Sequence, residues 1–318
     1  MDTASLSELE AAQETVYRYM KPTPELHWPL LSGRAGCEVW VKHENHTPIG
    51  AFKVRGGLVY LDDFARRHNG ARGIVSATRG NHGQSLAYAC GHAGVPLTIL
   101  VPHGNNPEKN AAMRALGADL VEVGSDFQEA REHAGDLAGE RDLHMIGPFH
   151  PLLMRGVGTY SLEFLRARDD LDTVYVPIGM GSGICGMISA RDALGLKTRI
   201  VGVVAENAPS YALSFDREKP VSTNSADTIA DGLACRVPDG TALGIILAGA
   251  ERVVTVSEDE IRAAMRIYFT DTHNLAEGAA AAPLAALLKE KDGMAGRKVG
   301  LVHSGGNVDA ELLKSVLA

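Results

Sequence analysis

The sequence predicts an α/β protein with mostly parallel sheets and helices on both faces. Three observations carry this reading. Short apolar segments rich in Val and Ile alternate with helical segments along most of the 318 residues, the pattern of βαβ units. The segment Thr173–Ile178 is apolar almost throughout, as strands buried on both faces are. The 35 glycines cluster, chiefly at strand-to-helix turns.

The elements follow in order. Ser7-x-x-Glu10 reads as a capping box opening a helix towards Met20. Val39–Lys42 is a strand, and a helix starts at Lys53 and runs through Leu61. Gly73–Ser76 is a strand, Asn81–Ala93 a helix, and Leu97–Val101 a strand. Pro107 opens a helix to Leu116, in the first turn where its missing N–H costs least. Asp119–Val123 is a strand, and Phe127–Leu137 a helix. In the second half, Thr173–Ile178 and Arg199–Val204 are strands, with a Gly-rich turn and a helix from Ile184 between them. Ser257-x-x-Glu260 is a capping box for a helix to Phe269, and Lys298–His303 is a late strand before a short helix. Ala279–Ala282 sits in a helical context. No linker stands out by composition, so a second domain is expected to be inserted rather than appended.

Composition excludes several function classes. Apolar residues make up 45% and charged residues 22% of the chain, the mix of a soluble globular protein. The formal charge of −8 argues against nucleic acid or an anionic membrane as partner. No apolar run approaches a membrane span, and Met1-Asp2-Thr3 does not start a signal peptide. Cys37, Cys90, Cys185 and Cys235 are far apart and form no CxxC, which fits a reducing cytoplasm and not a zinc or disulfide framework.

Four segments carry chemistry. In Gly50-Ala51-Phe52-Lys53-Val54-Arg55-Gly56-Gly57, a lysine desolvated at a helix start would have a lowered pKa and could form a Schiff base. A solvated lysine on a basic helix face fits the same residues. Thr78-Arg79-Gly80-Asn81-His82-Gly83-Gln84 presents backbone N–H groups at a helix start, a natural carboxylate site. Asn81 there is either a ligand to an anionic oxygen or a plain N-cap. Gly179-Met180-Gly181-Ser182-Gly183-Ile184-Cys185-Gly186 follows a buried strand and reads as a phosphate cradle. Gly181-x-Gly183-x-x-Gly186 is also formally a dinucleotide fingerprint, with Glu206 about 20 residues on, so an NAD-dependent dehydrogenase competes. In His303-Ser304-Gly305-Gly306-Asn307, the Ser304 hydroxyl either bonds a ring nitrogen or caps a turn.

In this order the four segments resemble the fold-type II pyridoxal-phosphate enzymes, tryptophan synthase β-like in architecture. The resemblance lies closest to the threonine/serine dehydratase and serine racemase branch. It runs from Thr23-Pro24 to Asn307 and includes Val41–Glu44, Pro107-x-Lys109, Gly156-x-Gly158-Thr159, Thr228–Gly232 and Ala276–Gly278. It overturns the dinucleotide reading, which leaves the lysine, Asn81 and Ser304 segments without a role.

The resemblance implies pyridoxal 5'-phosphate as cofactor. It makes Lys53 the Schiff-base lysine and the base for the substrate's α-proton, with Phe52 flanking the ring and Asn81 at its 3-oxygen. Gly179, Met180, Gly181 and Ser182 correspond to the family's tetraglycine loop and, with Gly183, hold the phosphate; two of the four glycines are replaced here. Ser304 partners the ring nitrogen, and Gly232 and Glu277 border the ring. The turn Thr78, Arg79, Gly80, Asn81 and His82 orients the substrate carboxylate. Relatives often carry a metal site after the strand Arg199–Val204, and here Val204 and Ser210 stand where its Glu and Asp would be. No metal is therefore expected, with Glu206 left as the one substitute ligand.

The implied activity is α,β-elimination from a β-hydroxy-L-amino acid (threonine, serine, 3-hydroxyaspartate or phenylserine) to a 2-oxo acid and ammonia. An amino-acid racemase is the alternative within the family. Racemisation needs a base on each face of the substrate; relatives that racemise place a serine where Arg79 stands, and a guanidinium is no base. The chain ends close behind Asn307, which suits a short catabolic enzyme without a regulatory domain, and relatives are often homodimers. The expected domains are residues 1–65 plus 150–318, and an inserted unit, 66–149.

Overall fold

The computed structural model describes residues 3–67 and 72–318. The chain opens with α1 (Leu6–Tyr17), β1 (Glu25–His27), α2 (Pro29–Ala35), β2 (Glu38–His43) and α3 (Lys53–Arg67). Then come β3 (Ile74–Ala77), α4 (Asn81–Ala93), β4 (Leu97–Val101), α5 (Pro107–Ala115), β5 (Asp119–Glu122), α6 (Phe127–Arg141) and β6 (His144–Met145). The second half carries α7 (Pro151–Ala167), β7 (Thr173–Pro177), α8 (Ser182–Ala193), β8 (Arg199–Ala205), α9 (Ser210–Asp216), α10 (Gly240–Gly249) and β9 (Arg252–Val256). It ends with α11 (Glu258–Thr272), α12 (Gly278–Lys289), α13 (Lys291–Met294), β10 (Lys298–His303) and α14 (Ala310–Leu317).

Two sheets result. Six strands run in the order β1-β2-β10-β7-β8-β9, and four in the order β5-β4-β3-β6. Every neighbouring pair is parallel except β1 with β2, so the mostly parallel α/β architecture stands as expected. Both faces of the larger sheet are covered. Val174 and Val176 pack into one core, with Leu162 and Ile184, while Tyr175 between them packs into the other, with Leu284 and Leu301. The smaller sheet does likewise, with Ile74 and Ile99 on one side and Val75 and Leu100 on the other. Among the described residues no helix is long and apolar enough to cross a membrane.

The first helix differs from its expected start. Ser5, not Ser7, is the N-cap, and the capping box is closed by Glu8 rather than Glu10. The Ser257–Glu260 box forms as expected. Helix α7 has no sequence signal because Gly156 and Gly158 break its pattern. Packing supplies the reason for them: a Cβ at 156 would lie 2.3 Å from the Arg55 carbonyl oxygen of α3. Such contact lets α7 and α3 approach closely, which favours a helix where propensity does not.

That approach buries a charge network behind the lysine segment. The Arg55 guanidinium is fully buried and bonds Glu44 at 2.7 Å and Glu163 at 2.6 Å. Lys42 of β2 pairs with Glu163 at 2.7 Å and bonds the Thr23 carbonyl at 2.6 Å. Two cations thus meet the two buried carboxylates, with Glu25 a third partner to Lys42 at 2.9 Å, and the network ties β2, α3 and α7 together.

Candidate active site

All four chemistry-bearing segments follow the carboxyl ends of parallel strands, where open α/β sheets build ligand sites. Lys53 and Ser304 meet because their backbones pair. The Phe52 N–H donates to the Ser304 carbonyl at 2.9 Å, the Gly306 N–H donates to the Gly50 carbonyl at 2.9 Å, and Ala51 bridges Gly305. The Thr47 hydroxyl fixes this stretch, bonding both the N–H and the carbonyl of Ala51 at 2.9 Å. Gly50 has φ +69°, and a Cβ there would lie 2.8 Å from Asn307 Oδ1.

Lys53 is the first residue of α3, and its Nζ donates to Ser182 Oγ at 3.1 Å. Nζ lies 5.1 Å from the centre of the Phe52 ring. Desolvation by burial pulls the Lys53 amine down to about 8. Burial thus gives Lys53 the lowered basicity a Schiff-base lysine needs, and a serine hydroxyl is its hydrogen-bond partner.

Positions 179–182 of the loop show why two of them are glycine and two are not. A Cβ at 179 would lie 2.1 Å from the Gly232 carbonyl oxygen, and one at 181 would lie 2.6 Å from Ala242 Cβ. Gly181 also has φ +97°, which side chains disfavour. Met180 and Ser182 meet no such limits. Gly181 is the N-cap of α8 and offers no side-chain cap, so the opening N–H groups of the helix face the loop with no capping oxygen.

The turn from β3 into α4 is tied to the lysine segment, with Ser85 Oγ of α4 donating to the Lys53 carbonyl at 2.5 Å. Thr78 Oγ1 accepts the Gly80 N–H at 3.2 Å, and Gly80, the N-cap of α4, provides no side-chain cap. His82 is buried with Nε2 unpartnered, and burial pulls it down to about 3, so the ring is neutral. Arg79 is exposed and makes no ion pair among the described residues. Asn81 donates from Nδ2 to Glu277 Oε1 at 2.8 Å and accepts from Asn307 Nδ2 at 2.8 Å. Burial pushes the Glu277 carboxyl up to about 7.

Two participants carried no assigned role in the sequence. Lys109 of α5 pairs with Asp231 at 2.7 Å, and its stem lies 3.0 Å from where a Gly80 Cβ would be. Asn307 joins Asn81 to the Ile49 carbonyl at 2.9 Å. Both belong to motif-like stretches, but their cross-chain partners leave no local pattern. At the expected metal position, Val204 is buried among apolar side chains, and the Ser210 hydroxyl is committed to the Cys235 carbonyl at 2.7 Å. Glu206 is exposed. Among the described residues no cluster suits a metal ion.

The arrangement fits pyridoxal phosphate. It offers a buried amine of lowered basicity for an aldehyde, uncapped helix amides in a cradle too tight for Cβ atoms at two positions, and a buried hydroxyl at Ser304. Such a site defines a fold-type II enzyme. The chain matches the family described as pyridoxal-phosphate dependent enzyme over residues 16–305 and belongs to it, so pyridoxal phosphate is its cofactor. It is 35% identical to L-threonine ammonia-lyase of Geobacter sulfurreducens over 310 residues, covering 97% of this chain and 77% of that one. It is 30% identical to L-threo-3-hydroxyaspartate ammonia-lyase of Saccharomyces cerevisiae, covering 96% and 94%. The structure of processed threonine deaminase isoform 2 from Solanum lycopersicum superposes with a TM-score of 0.90 at 28% identity, covering 99% and 94%.

Proposed function

We propose that the protein is an ammonia-lyase that eliminates water from a β-hydroxy-L-amino acid to give an enamine, whose hydrolysis takes up one water and yields a 2-oxo acid and ammonia. The observation that carries this is that Lys53 joins two uncapped helix starts, bonding Ser182 of α8 through Nζ and accepting the Ser85 hydroxyl of α4 at its carbonyl. When bound, pyridoxal phosphate supplies an aldehyde for the substrate amine and a ring that accepts the electron pair left by the α-proton.

The protein's own groups do the rest. The 179–183 amides would hold the phosphate, and the Ser304 hydroxyl would serve as a neutral partner for the ring nitrogen. Phe52, Gly232 and Glu277 would border the ring, and the Asn81 amide would serve its 3-oxygen. The first amides of α4, with Thr78 and Gly80 shaping the turn, hold the substrate carboxylate. This orientation aligns the Cα–H bond for cleavage. Lys53 Nζ would be the base that takes the α-proton. An amine poised near 8 both accepts and returns a proton near neutrality. Arg79, exposed at the turn and unpaired, is available to a second carboxylate and so favours 3-hydroxyaspartate among the candidates.

We take residues 66–149 as the moving unit. The Lys109–Asp231 pair and the Asn81–Glu277 bond cross the cleft from this unit to the rest of the chain and hold it closed. The same reading gives a cytoplasmic, catabolic enzyme acting as a homodimer. Four free, buried cysteines support the reducing compartment.

The test is a panel of L-threonine, L-serine, 3-hydroxyaspartate and phenylserine, scored for 2-oxo acid and ammonia in equal amounts. At least one substrate should turn over, and Arg79→Ser should weaken 3-hydroxyaspartate more than L-serine. Release of neither product from any of the four would overturn the assignment.

A further inference from the structure

The residue behind the phosphate loop is Tyr211 of α9. It is fully buried. Its hydroxyl donates to the Met180 carbonyl at 3.1 Å and accepts the Asp239 N–H, also at 3.1 Å. Asp239 is the N-cap of α10, and its carboxylate accepts the Thr241 and Ala242 N–H groups at 2.9 and 3.0 Å. A single oxygen therefore joins the loop to α9 and to the capped end of α10.

The bond has a directional consequence. In a planar trans peptide the C=O and N–H point to opposite sides. With the Met180 carbonyl turned inward to Tyr211, the Gly181 N–H of the same peptide faces out of the core. Gly181 itself is pressed against Tyr211 and Ala242, at 3.3 and 2.6 Å from a notional Cβ. The Met180 side chain supplies a second anchor. Its sulfur lies 3.7 Å from Cys235 Sγ, and Cys235 is held through its carbonyl by Ser210. A glycine at 180 would have no such anchor and more backbone freedom.

We propose that Tyr211 is a positioning residue that presets the amides of the 179–183 loop for a phosphate group, with the Met180 side chain as the second pin. The inference rests on that loop being the cofactor's phosphate site. It places the effect on the phosphate end and not on the lysine end. Tyr211→Phe keeps the ring and removes the oxygen that fixes the peptide.

The experiment titrates the cofactor-free protein with pyridoxal 5'-phosphate and, separately, with pyridoxal, which lacks the phosphate. Binding is followed by the Schiff-base absorbance that Lys53→Ala abolishes. For Tyr211→Phe, the pyridoxal phosphate dissociation constant rises about tenfold, the size of one lost buried hydrogen bond. The pyridoxal constant stays within about twofold on the same reasoning, since that bond does not face the lysine end. Met180→Gly keeps the tyrosine and shows the same asymmetry at about threefold, the backbone freedom a glycine adds; it carries the test should Tyr211→Phe not fold. Equal weakening of both aldehydes, or unchanged pyridoxal phosphate affinity, overturns the proposal while the site stands. A wild-type protein that takes up neither aldehyde overturns the site and the inference with it.

Discussion

Raising the pH of the cofactor-free protein from about 6 to about 10 should switch on Lys53 far earlier than an ordinary lysine, whose pKa is about 10.4. Burial disfavours the ammonium and brings the amine to about 8. At pH 8 half of this amine is neutral, against about 0.4% of a solvated lysine, so roughly a hundredfold more nucleophile is present. The rate of Schiff-base formation with pyridoxal phosphate should therefore climb with pH and level off with a midpoint near 8. The Ser182 hydroxyl accepts from Nζ at 3.1 Å and so favours the charged form. Removing it in Ser182→Ala forfeits about 0.5–1.5 kcal/mol of hydrogen bonding and moves the midpoint down by up to about one pH unit. Stopped-flow absorbance across a pH series measures both. A wild-type midpoint near that of a free lysine would refute the burial argument, and an upward move in Ser182→Ala would refute the role given to the serine.

Three further outcomes follow from the same structure. Activity should be unchanged by a chelator and by added magnesium or calcium, because Val204 offers no ligand and the Ser210 hydroxyl is committed to Cys235; restoration by magnesium after chelation would contradict this. Arg55→Met should lower unfolding free energy by about 3–5 kcal/mol in urea titration, since it strands Glu44 as a buried carboxylate without a cation and leaves Glu163 with Lys42 alone; a loss under about 1 kcal/mol would show that Glu44 finds another partner. L-serine should yield pyruvate without D-serine, because Arg79 supplies no second base; chiral chromatography showing D-serine at a rate comparable to pyruvate would refute it.

The site was legible where chemistry and local geometry share one stretch of chain. The helix starting at Lys53, the turn into Asn81 and the Gly-rich start of α8 each announce both an element and its ligand groups. Contacts between distant segments were not. Tyr211 reaches Met180 across 31 residues, and Lys109 reaches Asp231 across 122; no periodicity marks either. Helix α7 leaves no local pattern because glycines that weaken an isolated helix serve here to bring it against α3. The shifted cap at Ser5 shows the ordinary limit of pattern reading. Both Ser5-x-x-Glu8 and Ser7-x-x-Glu10 satisfy the box, and burial of Leu9, Ala12 and Val16 on one face decides between them.

The central claim is that Lys53 is the residue that binds pyridoxal phosphate. It is tested most directly by loading the wild-type protein with the cofactor, reducing with borohydride, digesting, and locating the modified peptide by mass spectrometry. The account predicts a single stoichiometric pyridoxyl group on Lys53, and neither that label nor turnover of any hydroxy amino acid in Lys53→Ala. A stoichiometric label on another lysine, or full activity in Lys53→Ala, would contradict it.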